Sequence, residues 1–206
     1  MTARLEGREL ELWRGDRCLF RNVTFEVRPG QYLNITGPNG CGKTSLLRMV
    51  CGFTLPEAGE IFWNGTSIRK DRHGYNSELV YVGHTEGLKA DLTARENLLY
   101  WGRVRTDTEM DAVDRALDTV GLESESRLHI RFFSAGMRRR LALARLLVHK
   151  VSLWMLDEPL TNLDVSGREL VSHLVDQHVT DGGTAVIATH QELGLAAAGR
   201  VALELG

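Results

Sequence analysis

Lys43 and Thr44 close the octet GPNGCGKT, residues 37–44, in which a lysine and a hydroxyl follow glycines at Gly37, Gly40 and Gly42. The spacing G-x-x-x-x-G-K-[ST] suits a cradle for polyphosphate. The glycines let the chain curl until successive backbone N–H groups face the same way, the lysine carries its charge to the β and γ phosphates, and the hydroxyl can hold Mg²⁺. A helix starting here would add the positive end of its dipole. Pro38, Asn39 and Cys41 occupy the free positions of the loop, and Ser45 follows directly, so Gly37 to Ser45 are the expected phosphate contacts. A glycine-rich turn without function is the alternative, and the flanks argue against it. YLNIT before the octet reads as a strand and SLLRMVCGF after it as a helix, the context the chemistry requires.

Two other stretches place reactive groups at strand ends. LWMLDEP ends an apolar run with Asp157 and Glu158, where ligand sites of parallel sheets open. Two adjacent carboxylates there suit separate tasks: Asp157 in the Mg²⁺ shell, Glu158 as general base for an attacking water. VIATH ends a second such run at His190; a lone histidine there reads as structural or as a γ-phosphate contact. A fourth feature is FFSAGMRRRLALARLLV, with Arg138, Arg139, Arg140 and Arg145 on a helical pattern. Three arginines in a row suit a solvated face first and an anionic partner second. Neither explains SAG before them, where Ser134 can cap a helix and Gly136 admits a close approach.

The elements that must carry these groups follow from periodicity. RELELW, CLFRNVTFEV and YLNITG are short alternating strands separated by turn residues, and GEIFWNG and LVYVG are two more. From about Leu92 to Val148 the period becomes helical, through TARENLLYWGRV, DTEMDAVDRALDTVGL and the arginine segment. VSLWML and TAVIAT are unalternating apolar runs, as in central strands covered on both faces, with GRELVSHLVDQHV as the crossover helix between them. The pattern predicts an α/β core with a helical insertion.

The 206 residues are enough for one substantial core. Lys+Arg of 25 against Asp+Glu of 27 leaves a formal charge of -2, which argues against a dedicated nucleic-acid binder. No apolar run reaches the roughly 18 residues of a membrane span, and MTARLEGRELEL has no signal-peptide core, so neither a span nor export is expected. Cys18, Cys41 and Cys51 form no CxxC pair and suggest free thiols in a reducing compartment.

Taken together, these motifs make nearly the whole chain resemble the ATP-binding subunits of ABC transporters. The resemblance implies a P-loop NTPase (RecA-like) core with an antiparallel β-subdomain, core 1–84 and 150–206, and a helical signature subdomain over 85–149. It implies ATP and Mg²⁺ as cofactors, with Lys43, Glu158 and His190 catalytic and Thr44 and Asp157 on the metal. FSAGM resembles the family's LSGGQ signature, so Ser134 and Gly136 would serve the nucleotide held by a second copy of the chain. Trp13 falls where the family stacks an aromatic on adenine. His84 stands where the family has a glutamine touching Mg²⁺ and water, and imidazole is a poor Mg²⁺ ligand beside oxygen donors. Met137 replaces the signature glutamine. LTNLD resembles the family's D-loop.

Partners implied are integral membrane subunits, a homodimeric second chain and no nucleic acid, at the cytoplasmic face of the inner membrane. Leu88 and Leu92 would contact the membrane partner, with ordinary subdomain core as their simpler reading. VGH, FSAG with RRR, LWMLDEP and ATHQE resemble most the cassettes serving cytochrome c maturation, where haem is handled; another small-molecule exporter is the alternative. Tandem cassettes acting on DNA or ribosomes and P-loop kinases fit less well, given the single cassette and the signature.

Overall fold

The structure, a computed structural model, describes residues 4–105, 107–195 and 199–206. Among these, two sheets and six α-helices form, and the chain clusters into two compact units. The first comprises Met1–Tyr81, Val151–Glu158 and Leu174–Gly206; the second comprises Val82–Lys150 and Pro159–His173.

In the first unit, β1 (Leu5–Arg14) pairs antiparallel with β2 (Arg17–Val27) and with β4 (Ala58–Trp63). With β5 (Thr66–Ser67) they form a sheet of order β2-β1-β4-β5. The second sheet has order β6-β7-β8-β3-β9, from β6 (Leu79–Val82), β7 (Leu153–Asp157), β8 (Thr184–Ala188), β3 (Gln31–Thr36) and β9 (Gly199–Glu204). β3 is parallel to both β8 and β9, and β7 is parallel to β8. Every residue of β7 and β8 is buried, which is why both read as unbroken apolar runs. Leu33, Ile35, Leu46, Leu47, Met155 and Val186 pack into one core with the inner face of the antiparallel sheet, each such side chain contributing about 1.5–3 kcal/mol on burial. This is the α/β fold with a parallel and an antiparallel sheet that the motifs implied. Three elements did not appear among the sequence expectations: the two-residue β5, α2 (Arg72–Ser77), capped by Asp71, and β9.

In the second unit, α3 (Ala94–Arg103), α4 (Met110–Thr119) and α5 (Ala135–Val148) enclose a core of Leu98, Val113, Leu117, Ile130, Phe133 and Leu141. Thr93 and Glu96 make a reciprocal capping box at the start of α3. Buried Asn97 receives the N–H of Lys89 and donates to the carbonyls of Lys89 and Thr93, tying down the entry to α3. Leu88, expected to touch a membrane partner with subdomain core as the simpler reading, is partly buried against this core.

The expectation of a solvated arginine face is overturned. Arg139 is only 2% exposed. Arg138 donates to Phe133 O, Arg139 to Gly83 O and Pro159 O, Arg140 to Asp164 and Ser166, and Arg145 to Gly87 O. Backbone carbonyls take up the donors of Arg138, Arg139 and Arg145, and side-chain oxygens those of Arg140, and a one-dimensional pattern cannot show that.

Candidate active site

Three parallel neighbours, β7, β8 and β3, end at the same side of their sheet, and the reactive groups of the first unit sit just past those ends. The loop after β3 carries the glycine-rich octet. Gly37, Gly40 and Gly42 have φ of 140°, 80° and 108°, backbone that disfavours any side chain. A Cβ on Gly37 would collide with the Leu205 carbonyl and press on the Cys41 thiol. Cys41 is therefore a buried filler beneath the loop. α1 (Lys43–Val50) begins at Gly42, which offers no side-chain cap, so the first N–H groups of the helix are left for a ligand.

Lys43 is 8% exposed, and its Nζ donates to Gly37 O at 2.8 Å and Pro38 O at 3.1 Å. The ammonium thus spans the curl of its own loop, at the place where phosphate oxygens would replace the two carbonyls as acceptors. Pro38, Asn39 and Gly40 are exposed along the loop, and Ser45 is half-buried on α1.

Thr44 Oγ1 donates to Asp157 Oδ1 at 3.0 Å, joining the start of α1 to the end of β7. A hydroxyl and a carboxylate with only oxygen donors suit a hard cation of Mg²⁺ type. Among the described residues no group of three or more His, Cys, Asp or Glu stands together as a metal cage. A cation here would complete its shell from phosphate and water oxygens, as Mg²⁺ does.

Glu158 has φ of +46°, one of five non-glycine residues in positive φ among the described residues. Its N–H donates to Ala188 O at 2.8 Å, fixing the turn against the end of β8. Its Oε2 accepts from Thr189 Oγ1 at 3.2 Å and lies 3.0 Å from His190 Nδ1. A carboxylate only accepts, so Nδ1 carries the proton in this pair, on a half-exposed ring. His190 therefore orients Glu158, in addition to the phosphate contact that the family resemblance implied.

Trp13 lies on β1, with Nε1 donating to Glu11 Oε1 at 2.5 Å and the Arg21 guanidinium 5.4 Å from its ring centroid. Its strand partner is Cys18, while Leu12 pairs with Phe20. The Phe20 ring and Leu19 Cβ lie against Gly42. Strand pairing thus brings the half-exposed Trp13 to the hairpin end that flanks the phosphate loop.

His84, Ser134 and Gly136 belong to the second unit. His84 is exposed just past β6. Ser134 is the N-cap of α5, its Oγ accepting from Met137 N at 3.2 Å, and its own hydroxyl proton remains to be donated. A Cβ on Gly136 would stand 3.2 Å from Asn162 O. The close approach that this glycine permits inside the chain is to the TNLD loop. Met137 packs on the helical core, a use for which a glutamine amide is no better suited. Arg139, buried between two loops, had no signal in the sequence beyond the arginine run itself.

The ABC transporter family model matches residues 20–161. The chain is 47% identical over 190 residues to the cytochrome c biogenesis ATP-binding export protein CcmA of Nitrosomonas europaea, covering 92% of this chain and 89% of that one. It is 46% identical over 202 residues to the protein of the same description from Nitrosospira multiformis, covering 98% of each. In fold it is similar to a candidate ABC transporter ATP-binding protein from Pyrococcus furiosus, with a TM-score of 0.84, 22% identity and coverage of 98% and 97%. A phosphate cradle on Lys43, a carboxylate pair at the end of β7 and a family model spanning both agree: the chain belongs to the ABC transporter family and is one of its ATP-binding, ATP-hydrolysing subunits.

Proposed function

We propose that this subunit powers haem handling in cytochrome c maturation, docked on integral membrane subunits at the cytoplasmic face of the inner membrane. Support for the cellular role comes from the similarity to the cytochrome c biogenesis proteins. Support for peripheral attachment comes from the helices, none of which among the described residues is long and apolar enough to cross a membrane.

The observation that carries the chemistry is the convergence of Lys43, Thr44, Asp157, Glu158 and His190 past the ends of three adjacent parallel strands. ATP lays its phosphates along Gly37–Ser45, with Lys43 exchanging two loop carbonyls for β and γ oxygens. Thr44 and Asp157 would hold Mg²⁺, which when bound neutralises charge on those oxygens. Glu158, aimed by His190 and Thr189, accepts the proton of the attacking water while the bond from the γ phosphorus to the bridging oxygen breaks and ADP leaves. His190 Nε2 faces the departing phosphate, and Trp13 stacks on adenine. His84 takes a hydrogen bond from or gives one to the attacking water and stays off the metal. A second copy supplies Ser134 O–H and the α5 amides near Gly136 to the γ-phosphate, so a closed pair of chains holds two nucleotides. The first unit is the nucleotide-binding core, and the second is the helical subdomain that carries the signature.

Glu158→Gln tests this reading because it keeps shape and loses basicity. The variant should bind ATP and turn over about 10² to 10⁴ times more slowly. In cells, disruption of the gene should deplete all holo c-type cytochromes. Normal cytochrome levels with intact ATPase chemistry would leave transport of another small molecule as the role.

A further inference from the structure

The acceptors taken by the α5 arginines are not scattered over the second unit. Arg139 donates from Nη1 to Gly83 O at 2.7 Å and from Nε to Pro159 O at 3.1 Å, and Arg145 donates to Gly87 O at 3.0 Å. Arg140 reaches Asp164 Oδ1 at 3.0 Å and Ser166 Oγ at 2.8 Å, while Asn162 O presses against Gly136. Residues 83–87 contain His84. Residues 159–164 begin at the peptide bond that follows Glu158. One helix therefore holds each of these loops at both ends, and Arg139 reaches both loops.

Burying a guanidinium carries a large desolvation cost, and an apolar side chain of similar volume would often pack as stably. What arginine adds is a rigid planar fork, whose two donors fix the separation of the two carbonyls they engage. A lysine, with a single nitrogen on a flexible stem, does not impose that separation.

We propose that Arg139 is a positioning residue for ATP hydrolysis, holding the His84 loop and the Pro159–Asp164 loop in fixed relation to Ser134 and Gly136. Arg140 and Arg145 are its outer ties. The three segments then move as one piece, and none adjusts to nucleotide independently. This deepens the hydrolytic role assigned above and rests on it.

The test uses the full chain together with the membrane subunits that copurify with it. Arg139→Lys should raise hydrogen–deuterium exchange in peptides covering 82–88 and 159–164 together, leaving the 94–103 helix unchanged. Turnover should fall, approaching about 10²-fold if the loops shift by about 1 Å, and less in Arg139→Lys than in Arg139→Met. ATP affinity, set by the phosphate loop, should be unchanged.

Leu98→Ala, a cavity in the same helical core, serves as the stability control: it lowers the melting temperature and leaves kcat intact below the transition. Should Arg139→Lys lose stability as Leu98→Ala does yet hydrolyse at the wild-type rate, the positioning role is wrong. It is equally wrong if one loop loosens without the other. Glu158→Gln measured alongside separates the two levels. Wild-type turnover in that variant overturns the assignment of Glu158. An inactive Glu158→Gln beside fully active Arg139 variants overturns only the role of Arg139.

Discussion

Glu158 holds its place against two backbone preferences. Its φ of +46° is left-handed, and the residue before a proline, here Pro159, favours extended backbone. Such a conformation costs about 1 kcal/mol or more for a residue with a Cβ. Glu158→Gly and Glu158→Ala both delete the bonds to Thr189 and His190, but only glycine relieves the backbone. The glycine variant should therefore melt at the higher temperature of the two, by about 1 kcal/mol of stability, reversing the usual order within helices and strands. Thermal denaturation of both variants checks this; an alanine variant as stable as the glycine one would mean that the turn is not strained. The four residues Lys43, Thr44, Asp157 and Glu158 were legible in the sequence because their chemistry is local to short motifs with fixed spacing. The tie made by Arg139 and the contact of Gly136 with Asn162 were not, although Gly136 itself stood out beside Ser134. Their partners, Gly83, Pro159 and Asn162, are remote in the chain and engage through backbone carbonyls, which have no sequence signature.

Between α6 (Val165–Thr180) and β8 the chain turns tightly at Gly182 and Gly183. The His178 ring stacks on Trp154 of β7 at 3.9 Å with planes 5° apart, and a Cβ on Gly183 would run into the imidazole. Burial pushes the His178 pKa down, opposed by the Thr184 carbonyl and Asp181. A histidine whose folded pKa lies below its unfolded value of about 6.5 binds more protons when unfolded across that interval. Its contribution is present above about pH 6.5 and lost as pH falls through the folded pKa. Denaturant titrations should show stability declining as pH falls below about 6.5, with a flatter profile in His178→Phe. An identical slope in both would place the acid sensitivity elsewhere.

Elements of this buried kind were the most legible: β7 and β8 announced themselves as apolar runs. β9 did not, although Val201 and Leu203 pack on the core, because only alternate residues of that edge strand are shielded. α2 is hard to read for a different reason: RHGYNS has poor helix formers, and the Asp71 cap bonding Gly74 N is its one signal. The T-x-x-E box before α3 was readable and would have marked the helix start.

For the whole molecule, the proposed pairing of two chains has a direct test. Lys43→Ala and Ser134→Arg are each expected to be inactive as homodimers, because both composite sites are damaged. When the variants are mixed, both lesions fall in one site, and the other receives a sound phosphate loop and a sound signature. Partial recovery of ATPase activity is the expected result, and no recovery despite proven heterodimer, with ATP bound at the intact site, would require both sites to act together. Charge and composition spoke to this scale through what they argued against, whereas the choice of partner rests on surfaces that composition averages away. The division into two compact units has its own consequence. The chain passes between them after Tyr81, Lys150, Glu158 and His173, so neither is a continuous stretch of gene. A fragment ending at Lys150 would lack Leu170 from its core and the Pro159, Asp164 and Ser166 acceptors of Arg139 and Arg140. The helical region is thus no portable module: recombination could exchange it only by cutting on both sides of the strand that ends in Asp157, and each exchange would carry a new neighbour up to Glu158.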